Sequence, residues 1–167
     1  MLFLLFQLGK DRYAVEASQV VEVLPLLNFK KIPRAPPGVA GAFNYRGTPV
    51  PVVDLSEVTT GHPSRQRHST RIVLVNYPLE SLGWRVLGLI AENATETIRL
   101  EPTDFLNSGL TPNEAPYLGP VAADERGLIQ RIEVKKLLPE SLRGLLFREP
   151  VEPNLTDATD RTSGGDP

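Results

Sequence analysis

The sequence predicts an all-β fold with short helices. Apolar runs of strand length recur between turn signals, and sixteen prolines with thirteen glycines punctuate the 167 residues. Proline alone stands well above its usual share of about 5%, so short strands and many turns are expected. The third observation is an internal echo. Gly41, Arg46-Gly47, Asp54-Leu55 and Val58 in the first half answer to Gly119, Arg126-Gly127, Glu133-Val134 and Leu137 in the second, which suggests two related β-subdomains.

Leu2 to Leu8 reads as a strand, Gly9-Lys10-Asp11 as a tight turn and Arg12 to Val15 as the returning partner. Ser18 then reads as the N-cap of a helical turn carrying Val20, Val21 and Leu24 to the core until Pro25, with Glu22 on the opposite side. Phe29 to Ile32 is a further short strand. Val39 to Leu55 follows as two apolar segments meeting at an Arg46-Gly47 turn, where Gly47 takes a positive φ. Pro49 and Pro51, two apart, remove ladder donors along one edge, which should be free or specially covered. Asp54 reads as an N-cap for a turn through Leu55 and Val58 that closes at Gly61.

The polar run His62 to Thr70 reads as an exposed loop between the subdomains, which meet near 61–71. Ile72 to Val75, a turn at Glu80 to Gly83 and Trp84 to Ile90 follow as a meander, with Thr95 to Leu100 as a separate strand. Residues 101–116 read as a long loop with a helical turn near Asp104-Phe105-Leu106. Tyr117 to Ala122, a turn at Asp124 to Gly127 and Leu128 to Ile132 form the last hairpin. Val134, Leu137 and Leu138 share a helical face, and Leu142, Leu145 and Leu146 continue one after Pro139. Residues 148–167 carry five acids against two arginines and few apolar side chains, so an acidic, disordered tail is expected after a domain spanning 1–147. Without that tail's charge of −3, the total of −2 leaves a body of about +1, with no strong field of either sign.

Composition narrows the chemistry. With no cysteine and only His62 and His68, both in a polar stretch, neither a disulfide nor a metal site is expected. No apolar run approaches the roughly 20 residues that span a bilayer, and the opening Met1 to Phe6 lacks the basic flank of a signal sequence, so a cytoplasmic chain is expected without membrane insertion. Asp54, Glu92 and the Glu101, Asp104 pair are the carboxylates available for acid-base work, but none stands in a recognised motif. A Ser56, His62, Asp54 set lacks a nucleophile elbow. No catalytic residue and no cofactor site is expected.

The segment Val39-Ala40-Gly41-Ala42-Phe43-Asn44-Tyr45-Arg46-Gly47-Thr48-Pro49-Val50-Pro51-Val52-Val53-Asp54-Leu55 resembles the VxGxxNxRGxxxPVxDL segment of CheW-like domains. Tyr13 to Val23 is similar to that family's second strand and following VxEV turn, and Gly127 to Leu138 to its last strand and LDxxKLL-like turn. Tyr45 departs from the pattern, where an aliphatic residue is usual. The resemblance covers about Leu2 to Leu138 and implies two intertwined five-stranded SH3-like β-barrel subdomains. It also implies a non-catalytic adaptor that couples a methyl-accepting chemoreceptor's cytoplasmic tip to the regulatory domain of a CheA-like histidine kinase. Under that resemblance Asn44, Arg46 and Gly47 are partner-binding, Glu22 is a partner for Arg46, and Leu4, Ala17 and Val20 line a receptor-facing groove between the subdomains.

The rival reading is a small β-barrel module binding RNA or another anionic ligand through Lys30, Lys31, Arg34, Arg65, Arg67 and Arg71. Few aromatics interleave with those charges, and the net charge gives no electrostatic case for nucleic acid.

Overall fold

The computed structural model describes residues 1–80, 83–107, 109 and 113–147. The expected acidic tail at 148–167, and Ser81 and Leu82 of the expected 80–83 turn, lie outside the described residues. The elements in chain order are β1 (Leu2–Leu8), β2 (Asp11–Glu16), β3 (Val20–Pro25), β4 (Val39–Tyr45), β5 (Thr48–Asp54), α1 (Leu55–Thr60), β6 (Arg71–Leu79), β7 (Gly83–Arg99), β8 (Leu118–Asp124), β9 (Gly127–Ile132) and α2 (Glu140–Leu146). Single 3-10 turns cover Ala17–Gln19, Pro102–Asp104 and Val134–Lys136. The fold is mostly β with few short helices, as the turn density predicts.

Strand pairing runs β3-β6-β7-β1-β2-β9-β8, with β5 added to β7 and β4 to β5. The path does not close on itself, so backbone pairing alone does not make two barrels. Long strand β7 joins the halves. Its first part pairs with β6 from Leu79↔Gly83 to Arg71↔Ala91, and its last part pairs with β1 from Gln7↔Glu92 to Leu2↔Arg99. The expected break between Ile90 and Thr95 is therefore one continuous strand. Asn93 absorbs the bend with φ 50° and donates to the Gln7 side chain at 2.5 Å, holding the left-handed kink that otherwise disfavours a non-glycine residue.

Period-2 alternation explains the unbroken apolar runs of β1 and β6. Phe3 and Leu5 face a cluster inside the second half, while Leu4, Phe6 and Leu8 face a larger core that also holds Val73, Val75 and Tyr77 from β6. Ile72 and Leu74 turn the other way, to Val50, Leu24 and Phe43 inside the first half. These strands are buried on both faces, so their sequences show no polar alternation. The largest core lies where the halves share residues.

Two expectations are corrected. Ser18 does not cap a helix: the 3-10 turn begins at Ala17 after a Glu16 that makes no side-chain cap bond. Val20 to Pro25 is strand β3, paired with β6, with alternate side chains half-buried and exposed. Its β-branched Val20, Val21 and Val23 fit a pleated surface better than a helix. Phe29 to Ile32 contributes a single bridge, Lys30↔Ala42, rather than a strand.

Candidate functional site

The Arg46-Gly47 turn joins β4 to β5 through the pair Tyr45↔Thr48, leaving a two-residue loop. Arg46 has φ 51° and Gly47 φ 86°, the double left-handed conformation whose twist matches a hairpin. A left-handed arginine is strained by roughly 1–2 kcal/mol, and its neighbours sustain it. Asn44 Oδ1 accepts from the Gly47 N–H at 2.8 Å, the Arg46 guanidinium lies 5.1 Å from the Tyr45 ring centre, and Arg46 Nη2 is 3.7 Å from Glu22 Oε2. The three signature residues Asn44, Arg46 and Gly47 form one local unit that holds a cation out from the sheet, its side chain 78% exposed.

Glu22 reaches this turn from β3, not from a helical turn. The same carboxylate accepts a hydrogen bond from the Tyr45 hydroxyl, which pushes the phenol's pKa up because the carboxylate favours the protonated donor. Tyr45 thus does what an aliphatic residue at that position cannot: it ties β4 to β3, which no strand pairing joins. In the sequence Tyr45 stands only as a departure from pattern; its link to Glu22 depends on a register that pattern does not carry.

At the other end of the same hairpin, Gly41 (φ 150°) allows a close approach, since a Cβ there would lie 2.4 Å from the Lys30 carbonyl. That carbonyl accepts from Ala42 N at 2.9 Å. Asp54 caps α1 as its sequence position suggests, accepting from Ser56 N at 3.0 Å, and it also binds Ser64 N at 2.9 Å and Ser64 Oγ at 2.6 Å. Buried Glu92 accepts from Arg65 N at 2.6 Å. The two buried carboxylates therefore pin the 62–70 loop. Pro51 is buried, while Pro49 lies outside the β5–β7 pairing, which runs only from Val52 to Asp54.

The apolar candidates separate. Ala17 and Val20 are half-buried, Val20 packing against the edge of the large core, whereas Leu4 lies within that core at 7% exposure and presents no surface to a partner. The cations of the rival reading stand among acids: Lys31 lines one groove with Pro63, Ser64 and Gln66 of the 62–70 loop, but Asp54 and Glu57 line it too. Lys30, Lys31 and Arg34 lie on the 26–38 connection, Arg65 is 3.7 Å from Glu92, and Arg71 donates to the carbonyls of His68 and Thr70. Among the described residues no three His, Asp or Glu side chains gather as a metal site, and no helix is long and apolar enough to cross a membrane. Trp84, 65% exposed on β7, is a surface feature whose exposure strand pattern does not reveal.

The model of the CheW-like domain matches residues 2–142. The chain is 26% identical over 141 residues to the chemotaxis protein CheW of Klebsiella aerogenes, covering 81% of this chain and 80% of that protein. Identity is 26% over 103 residues to the chemotaxis protein CheW of Helicobacter pylori, a match that spans 62% of this chain and 59% of that protein. Among solved structures, the scaffolding protein TtCheW of Thermoanaerobacter tengcongensis superposes with a TM-score of 0.72 over 83% of this chain and 87% of that one, at 23% identity. That likeness supports the fold. With the family match running through both halves, the chain belongs to the CheW-like domain family.

Proposed function

We propose that this protein is a cytoplasmic, non-catalytic adaptor that couples the cytoplasmic tip of a methyl-accepting chemoreceptor to the regulatory domain of a CheA-like histidine kinase. The observation that carries this reading is the Arg46-Gly47 turn: a cation held out by Asn44, Glu22 and Tyr45 on a rigid hairpin, with no acid-base constellation beside it among the described residues. A preorganised exposed arginine suits a recognition role, because little side-chain freedom is left to lose on binding.

Residues 1–147 act as one domain, and each half is a five-stranded SH3-like barrel. In this reading the Glu22–Tyr45 bond supplies the closure of the first, across the gap between β3 and β4 that no backbone pairing spans. Ala17 and Val20 form the edge against which a receptor helix lays apolar side chains, and Leu4 backs that edge from the core. Arg46, Asn44, Gly47 and Glu22 form a second contact, so the two partners use different faces. Residues 148–167 are an acidic appendage outside the domain.

A pull-down with the tagged protein tests the reading. Recovery of a histidine kinase together with a chemoreceptor supports it, and salt-sensitive capture of oligonucleotides without either protein overturns it.

A further inference from the structure

A groove of about 450 Å³ runs between α1 of the first half and α2 of the second. None of Leu4, Ala17, Val20 or the Arg46-Gly47 turn lines it, so it is separate from the contacts described above. Its floor is apolar. Val58 comes from α1, Leu142 from α2, and Tyr117 and Leu137 from the segments between β7 and α2, all within the largest core or packed against it.

The groove is preformed. Gly38 packs so closely on Val58 that a Cβ there would lie 2.7 Å from Val58 Cγ2. The Tyr77 hydroxyl donates to the Lys135 carbonyl at 3.2 Å, which ties down the 3-10 turn just before Leu137. Walls held in this way have little freedom to lose on binding.

Unmatched charge on the rim has one sign. Glu57 and Glu114 both line the groove, and among the described residues neither carboxylate meets a cation or a hydrogen-bond donor. The lining cation, Lys136, is already matched by Glu133 at 2.9 Å. Glu57 also stands in the first turn of α1, where a carboxylate favours the helix dipole, but Glu114 has no such duty. Pro37, Pro116 and Pro139 complete the walls and offer no backbone N–H. An added strand would therefore lack donors at three positions, whereas a helix arrives with its own backbone bonds made and needs only an apolar floor and a complementary rim.

We propose that this groove docks a basic amphipathic helix of a partner protein, its apolar stripe on Val58, Leu137 and Leu142 and its lysines or arginines at Glu57 and Glu114. Such a helix touches both halves at once, so its binding stabilises the native packing of one against the other. The site goes beyond the coupling function proposed above and does not depend on it.

Methyl NMR and calorimetry with a leucine-lysine peptide patterned as an amphipathic helix test this, with a leucine-glutamate peptide of the same pattern as control. The lysine peptide should shift the methyls of Val58, Leu137 and Leu142 saturably. It should bind about tenfold more weakly to Glu57→Gln/Glu114→Gln, whose fold circular dichroism verifies, and more weakly to the wild type as salt is raised. Absence of binding overturns the proposal, as do shifts centred on other methyls, equal affinity for the glutamate peptide, or an affinity unchanged in the double variant. Shifts of the same methyls that grow with protein concentration in the absence of peptide overturn it too, since a second copy then covers the groove.

Discussion

Glu22 on β3 and Arg46 on the β4–β5 turn meet with Oε2 3.7 Å from Nη2, bridging two strands that no backbone ladder joins. An exposed pair of this kind contributes at most about 1 kcal/mol, so its effect is to aim the arginine rather than to hold the fold. Arg46→Glu should therefore leave the fold in place, moving the melting temperature by less than about 4 °C, while weakening capture of receptor or kinase. Circular dichroism melts run beside pull-downs check this. A large loss of stability, or an unchanged complex, contradicts a recognition role.

The Tyr45 phenol gives an independent reading of the same junction. Its hydrogen bond to Glu22 raises its pKa, so Glu22→Gln, which removes the charge, should let Tyr45 titrate at lower pH than in the wild type. Carbon-13 NMR of labelled tyrosine resolves it from Tyr13 and Tyr77, which burial also pushes up. An unmoved Tyr45 titration means that β3 and β4 are not joined in this way.

Asp54 shows what short-range pattern reveals and what it leaves out. Its capping of α1 is legible in the sequence because a cap lies two or three residues from the amides it serves. Its bonds to Ser64 are not, because they need the loop to fold back. Asp54 is 6% exposed, so Asp54→Ala should remove the cap and orphan the Ser64 donors, costing about 2–4 kcal/mol. Hydrogen exchange at Ser64 should accelerate along with the lower urea midpoint. Unchanged exchange at Ser64 contradicts the anchoring.

The same distinction runs through the fold. The 39–55 hairpin is legible because Gly47 marks its turn and apolar residues mark its strands. Strand β3 is misread because Ser18 looks like a cap, and only its pairing with β6 settles Val20 to Pro25 as extended. Strand β7 is misread as two strands, Trp84 to Ile90 and Thr95 to Leu100, where the chain runs on without a break. Asn93 instead bends a strand that passes from one half to the other. Of the site, Asn44, Arg46 and Gly47 are legible as a unit, whereas the burial of Leu4 depends on which of two cores its strand face meets.

The Arg12–Asp124 ion pair gives the protein's stability a pH-dependent contribution. The Arg12 guanidinium bonds both carboxylate oxygens, Nη1 to Oδ2 at 2.9 Å, and holds Asp124 down to about 2, with the Arg126 backbone N–H adding to the effect against some desolvation. The folded value lies below the unfolded one of about 4, so this stabilisation is complete above pH of about 4 and is lost as the pH falls toward 2. Asp124→Asn should be less stable than wild type at neutral pH, and the difference should shrink between about pH 4 and 2. Urea midpoints at both ends of that window measure it. A constant difference contradicts the ion pair as its source.

Co-sedimentation of a CheA-like kinase with receptor-bearing membranes tests the coupling role most directly. Kinase should pellet with the membranes when the wild-type protein is added, and much less when Arg46→Glu replaces it at equal concentration and equal folded fraction. Kinase that pellets to the same extent without the protein, or wild-type protein that stays in the supernatant with the kinase, contradicts an adaptor joining the two.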